Sequence, residues 1–149
     1  MKVVAIAADH AGWPLLETAE TAARENGWTP VRLGADLADP KDDYPDFAEL
    51  VARAVQSGEA ARGILVCGSG VGAAVAACKF KGVRASVCHD TYSAGQGVDH
   101  DDLNVLCVGA RIIGTSLARA VMDAFLTASF SDEPRHHRRL EKVNAFEGA

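Results

Sequence analysis

The sequence predicts an α/β fold: a three-layer α/β/α sandwich on a five-stranded, mostly parallel, Rossmann-like sheet, with a C-terminal helix. Three observations carry this. Short β-rich apolar runs recur along the chain, and segments with apolar residues at helical spacing separate them. The length, 149 residues, suits one domain, 1–149, and is too short for two. Strands alternating with helices imply right-handed crossovers and a sheet covered by helices on both faces.

The first run, Val3 to Ala8 (VVAIAA), leads to a helix over Pro14–Asn26 with Leu15, Leu16, Ala19, Ala22 and Ala23 on its apolar stripe, Pro at its start and Gly27 at its stop. The second run, Thr29 to Leu33 (TPVRL), precedes a helix over Pro45–Ser57 striped by Phe47, Leu50, Val51, Ala54 and Val55 and ended by Gly58. The third, Gly63 to Cys67 (GILVC), passes directly into a helix over Gly70–Phe80. Arg84–Cys88 (RASVC) and Val105–Gly109 (VLCVG) supply the remaining strands. Two more helices follow: Thr115–Ser129, with Leu117, Val121, Phe125 and Ala128 in register, and one opened by Pro134 that runs through Leu140, Val143 and Phe146. Continuous apolar runs suit strands covered on both faces. Such sheets bind ligands beyond the carboxyl ends of their strands, so the residues after each run carry the functional information.

Composition narrows the function. Apolar residues at 48% and charged residues at 23% are ordinary for a globular domain. A net charge of -5 argues against nucleic acid or a membrane surface as partner, since both need a dominant basic face, so any anion site must be local. The opening residues MKVVAIAADH meet Asp9 and His10 too early for a secretory signal or a span, which predicts a cytoplasmic protein. Cys67, Cys78, Cys88 and Cys107 lie ten or more residues apart with no C-x-x-C pair, which suggests neither zinc nor redox chemistry.

The third strand ends in Cys67-Gly68-Ser69-Gly70-Val71-Gly72 and enters a helix. Free backbone N–H groups and the positive end of a helix dipole make that junction an anion cradle, and the same field favours a thiolate at Cys67, which could then act as a base. A bland reading is a tight strand-to-helix turn with a core cysteine. A dinucleotide loop is a third: Gly68, Gly70 and Asp90 echo that fingerprint, but Gly72 falls one place early and no second half or substrate domain has room.

Asp9 and His10 follow the first strand, and Asp43-Tyr44-Pro45 follows the second, so an acid, an imidazole and a phenol can reach the same edge. Alternatively they cap and start the helices that follow. His100, in VDHDD before the last strand, is flanked by Asp99, Asp101 and Asp102, which favour its protonated form and a proton-donor role; the rival is a solvated acidic turn. Carboxylates so close in sequence cannot all converge on one ion, so no metal is expected there. Pro134-Arg135-His136-His137-Arg138-Arg139 puts positive charge at a helix N-terminus, a conflict that an external anion gripped by Arg135 and Arg139 would resolve; a solvated basic tail is the alternative. Arg111, after the last strand, is a further anion ligand.

The ordered set DHAG, DYP, CGSGVG, GVRA, TYSA, a DH step, NVL, GAR and a final R-x-x-x-R resembles the ribose 5-phosphate isomerase B and galactose 6-phosphate isomerase family along nearly the whole chain. The resemblance implies aldose-ketose isomerisation through a cis-enediolate, with no metal and no cofactor. It implies Cys67 as the base between C1 and C2, with the amides of Gly68, Gly70, Val71 and Gly72 and the hydroxyl of Ser69 as the anion hole. Asp9 and His100 then serve ring opening and proton traffic, His10, Arg111, Arg135 and Arg139 the phosphate, and Tyr44 the site wall. It further implies a homodimer, often paired into a tetramer, whose site joins the Cys67 loop of one subunit to His100 and arginines of its neighbour. Two positions depart from the family pattern. Ser69 stands where many relatives have Thr, and Asp101, beside His100 on the substrate side, stands where ribose 5-phosphate isomerases commonly carry Asn. An ionised Asp cannot donate a hydrogen bond to the sugar, so Asp101 bears on which sugar phosphate is taken. Outside the resemblance, a phosphate-binding module without catalysis and a thiol hydrolase using Cys67 and His100 remain the rivals.

Overall fold

The computed structural model describes residues 2–34 and 38–148. Among the described residues the strands are β1 (Val3–Ala8), β2 (Thr29–Arg32), β3 (Arg62–Cys67), β4 (Ala85–Val87) and β5 (Val105–Gly109). The helices are α1 (Leu16–Glu25), preceded by a 3-10 turn at Trp13–Leu15, α2 (Tyr44–Ser57), α3 (Val71–Ala77), α4 (Thr91–Asp101), α5 (Thr115–Thr127) and α6 (Pro134–Ala145). The strands form one sheet in the order β2-β1-β3-β5-β4, and every pair is parallel. The α/β sandwich expected from the sequence is therefore present, with a sheet that is wholly parallel rather than mostly so.

Side chains alternate across the sheet. Val4, Ile6, Ala8, Ile64, Val66, Leu106 and Val108 pack with α1, α4 and α5, around Phe125, Met122 and Val98. Ala5, Ala7, Leu65, Cys67, Val105 and Cys107 pack on the opposite face with α2 and α3, against Ala48, Val51, Ala73 and Ala77. Cys67 is thus a core position of β3 at the point where that strand ends. The chain winds from β1 outward to β2 and then returns past β1 to β3, so the winding reverses between β1 and β3. Parallel sheets bind ligands at such a reversal, above the carboxyl ends of the two strands.

Several expectations need correction. Thr29, Val31 and Arg32 are exposed, so β2 is an edge strand open on its outer side, a place where Pro30 is tolerated because no neighbour needs its N–H. In α2 the inward residues are Ala48, Val51, Ala52 and Ala54, while Leu50 is 42% exposed. Leu117 of α5 is likewise outside, with Ala118 and Met122 taking the inner face. In α2 the inner face is mostly alanine, whereas α5 buries Val121, Met122, Phe125 and Leu126 beside Ala118. The third helix stops at Ala77, before Phe80.

The largest correction is α4, where the sequence reading has only an acidic turn. Asp90 caps this helix through Oδ2, which accepts the Ser93 N–H at 2.7 Å and so holds the Asp90 carboxyl below its ordinary range. Asp102 ends it in the left-handed conformation, φ 51°. Gly95 and Gly97, poor helix formers, sit where the helix meets its neighbours: a Cβ on Gly97 would lie 3.2 Å from Leu103 Cδ2, and one on Gly95 3.7 Å from the Ala124 carbonyl of α5.

Candidate active site

The turn after β1 and the turn after β3 face each other at the reversal. Asp9 is buried, and its Oδ1 accepts the Gly12 N–H at 2.9 Å, while its own N–H reaches the Val66 carbonyl at 3.3 Å. That pair of bonds joins the β1 turn to β3 and fixes the carboxylate over the cavity floor. Cys67 is 5% exposed, and the Gly70 N–H points at its Sγ from 3.1 Å. A sulfur that carries charge accepts such a bond more strongly than a neutral thiol. Gly70 adopts φ 82°, a conformation that L side chains avoid, and this turn is what brings its amide round to the sulfur.

Asp9, His10, Tyr44, Cys67, Gly68, Ser69, Gly72 and Arg111 line one cavity of about 390 Å³, closed at its rim by Ala11 and Ile112. The β5 turn supplies Arg111: its N–H bonds the Gly68 carbonyl at 3.0 Å, and its guanidinium lies 3.4 Å from where a Gly68 Cβ would be. The Tyr44 ring lies 2.6 Å from where a Gly72 Cβ would be, so no other residue fits at 72 while Tyr44 forms the wall. Eight of the expected site residues are therefore assembled by one chain from three strand ends and the start of α2. Gly70 and Val71 belong to the same loop; the Gly70 N–H is committed to Cys67, and the Val71 N–H to Ser69 Oγ at 3.2 Å.

The remaining candidates lie elsewhere on the chain. His100, in the last turn of α4, lines a different cavity with Tyr92, Gln96, Asp99 and Ser129. Of the three acids flanking it, only Asp99 approaches its ring, Oδ2 to Nε2 at 3.4 Å; Asp102 pairs with Arg84 at 3.0 Å. Asp101 lines a third cavity, with Arg84, Cys88 and Leu140, which shares Gln96 with the His100 one. Arg135 and Arg139, on α6, are exposed, and Arg135 pairs with Glu133 at 3.0 Å, which partly relieves the charge at that helix start without a ligand.

Two residues at these sites escaped the sequence reading. Asp42 Oδ1 accepts the His10 backbone N–H at 3.1 Å and lies 2.6 Å from His10 Nδ1. With a carboxylate there, Nδ1 carries the proton and Nε2 is left for a ligand. Asp9, His10 and Asp42 offer atoms within 4.8 Å of one another, and an ion there would displace these hydrogen bonds. The second is His136, buried beside His100. The run KDDYP hides the first among other acids, and the arginines around it hide the second.

A buried thiol beside a backbone anion loop, with a carboxylate, an imidazole and a guanidinium around one small cavity, defines a class of enzyme that moves protons on a small anionic substrate. The sequence pattern of the ribose/galactose isomerases matches residues 4–143, and the chain belongs to that family. It is 41% identical to ribose-5-phosphate isomerase B of Escherichia coli, over 99% of this chain and 97% of that one. It is 36% identical to the D-erythrulose-4-phosphate isomerase of Pectobacterium atrosepticum, over 99% and 96%. The structure of the type B ribose 5-phosphate isomerase of Trypanosoma brucei superposes with a TM-score of 0.93 at 44% identity, covering 98% of this chain and 99% of that one. The chain is accordingly a sugar-phosphate isomerase of the aldose-ketose type. Among the described residues no helix is long and apolar enough to cross a membrane.

Proposed function

We propose that this enzyme interconverts ribose 5-phosphate and ribulose 5-phosphate with Cys67 as the base. The observation that carries this reading is the buried Cys67 Sγ, oriented by the Gly70 N–H in the cavity that also holds Asp9, His10 and Arg111. The thiolate takes the proton from C2 of the open-chain aldose, the electron pair forms the C1–C2 double bond, and the charge moves to O1. The resulting cis-enediolate passes a proton between O1 and O2 and receives the proton from the cysteine at C1, which gives the ketose. The Gly68 and Gly72 amides and the Ser69 hydroxyl, which lies in the same cavity, stabilise charge that exists only during reaction, so they act on the transition state; losing one such donor typically costs about 100- to 1000-fold in rate. Asp9 serves the sugar hydroxyls, and His10 and Arg111 hold the phosphate, an unreacting handle that places C1 and C2.

His100, Arg135 and Arg139 complete the site from a second subunit of a homodimer. Two features support this: in one chain they lie outside the Cys67 cavity, and Val71 and Val75 of α3, with Ile112 of the cavity lining, are 55%, 58% and 59% exposed, apolar surface that a neighbouring chain would cover. Asp101 lines a neighbouring cavity that shares Gln96 with that of His100, so its charge bears on which sugar phosphate is taken. Assaying ribose 5-phosphate, allose 6-phosphate, galactose 6-phosphate and erythrose 4-phosphate with a chelator present tests the reading. Ribose 5-phosphate is expected to give the highest kcat/KM; preference for erythrose 4-phosphate would move the assignment toward the activity named for the Pectobacterium relative.

Asp42 gives a second test. Its carboxylate holds His10 twice, at the backbone N–H and at the ring Nδ1, and so fixes the direction in which Nε2 faces the phosphate. Asp42→Ala is expected to raise KM about tenfold, roughly 1.4 kcal/mol, with kcat changed less than threefold. A fall in kcat at constant KM, in steady-state kinetics, would mean that His10 acts on the reacting carbons.

A further inference from the structure

Among the described residues two polar side chains are buried, Asp9 and His136. Asp9 belongs to the cavity described above, whereas no step of the reaction uses His136. It lies in the first turn of α6, flanked by exposed residues on both sides, and its ring stacks on that of His100 with centroids 4.0 Å apart and planes 26° from parallel. Its Nδ1 is hydrogen-bonded to Ser131 Oγ, and the Ser131 N–H is donated to the Asp99 carbonyl at 3.0 Å, which ties the segment before α6 to the last turn of α4. On the α4 side Gln96 Nε2 meets His100 Nδ1 at 3.1 Å and Asp99 meets Nε2 at 3.4 Å. The His100 ring is therefore held at both nitrogens and on one face, and the face is closed by a second imidazole.

Burial pushes the His136 pKa down, and His100, Arg135 and Arg139 push it the same way against the opposing pull of Asp99. Two imidazoles in stacking contact do not both hold a proton at little cost, so the ring with more cations and less solvent stays neutral.

We infer that His136 is a positioning residue for His100: an aromatic platform, stacked on one face of the ring and tied to the end of α4 through Ser131, that fixes the plane of the His100 ring. The inference rests on the reading of His100 as the proton-carrying group of the site.

The test uses the full chain with His136→Ala, His136→Phe and His100→Ala, each checked for fold and mass in solution. His136→Ala is expected to lower kcat about 10- to 100-fold with KM within about threefold, the size of loss that a misplaced catalytic group gives, and to displace the basic limb of the pH–rate profile. His136→Phe, which keeps a stacking face and lacks a titrating nitrogen, is expected to recover kcat to within about fivefold and to restore that limb. The inference is overturned if His136→Ala keeps the wild-type kcat and profile. It is equally overturned if a folded His136→Phe is as slow as the alanine variant, since a ring nitrogen would then be acting itself. Histidine-labelled NMR of the wild type supplies an independent check that needs no variant: the His100 and His136 rings are expected to show the through-space contacts and ring-current shifts of a stacked pair, and their absence would overturn the proposal. Retained turnover in His100→Ala would instead remove the reading on which this rests, whatever the His136 variants do.

Discussion

Replacing Cys67 by alanine lowers kcat by about 100- to 10,000-fold, the range for loss of a general base, while KM for the sugar phosphate moves by less than about threefold. The asymmetry follows from the geometry: His10 and Arg111, the proposed phosphate ligands, are untouched, and only the atom addressed by the Gly70 N–H is removed. Exchange of the substrate C2 hydrogen with solvent, followed by NMR in deuterated water, is expected to stop with turnover. Cys107 cannot take over. It lies in the same half of the core, but burial, and after it the neighbouring thiols Cys67, Cys78 and Cys88, push its pKa well above the ordinary cysteine range, so it stays a neutral thiol at working pH. If Cys67→Ala kept near-wild-type turnover, the base would have to be another group of the cavity, with Asp9 the first to test.

Mixing two inactive variants is expected to restore activity from nothing. Cys67→Ala and His100→Ala chains, each without turnover alone, are co-expressed or refolded together at equal amounts. If each site joins Cys67 of one subunit to His100 of the other, half of the dimers are mixed and each mixed dimer has one intact site, so activity returns to about one quarter of wild type. If both residues served a site within one chain, every site in every mixed dimer would lack one of them and nothing would return. The separation of the His100 cavity from that of Cys67 makes the first outcome the expected one.

The sequence disclosed most of this architecture where physical signals were local. The stripe Leu15, Leu16, Ala19, Ala22 and Ala23 is buried as read, and the five strands stand within a residue or so of their apolar runs. CGSGVG was legible because glycine spacing and a cysteine at a strand end mean something before any packing is known. Signals that depend on the partner surface were not. Leu50 and Leu117 satisfied helical spacing, yet both are 42% exposed, and the neighbouring Val51 of α2 and Ala118 of α5 are buried instead. The helix carrying His100 was unreadable because Gly95 and Gly97 run against helical propensity, and only the fold shows Gly97 lying tight against Leu103. Asp42 and His10 are 32 positions apart, and no periodicity links them. The stacking of His100 on His136 joins two helices in the same way.

The strand order has a consequence for how the chain comes to be active. Among the described residues β4 hydrogen-bonds only to β5, and β5 fills the gap between β3 and β4, so a growing chain completes β4 well before anything exists for it to pair with. An interior strand of the sheet is thus the last to arrive, and it brings Arg111 to the Gly68 loop as it docks. Parallel pairing across such sequence distances is slow and leaves unpaired strand edges exposed meanwhile. Assembly of the Cys67 cavity and closure of the sheet become one late event, and a nascent or partly unfolded chain lacks the complete cavity.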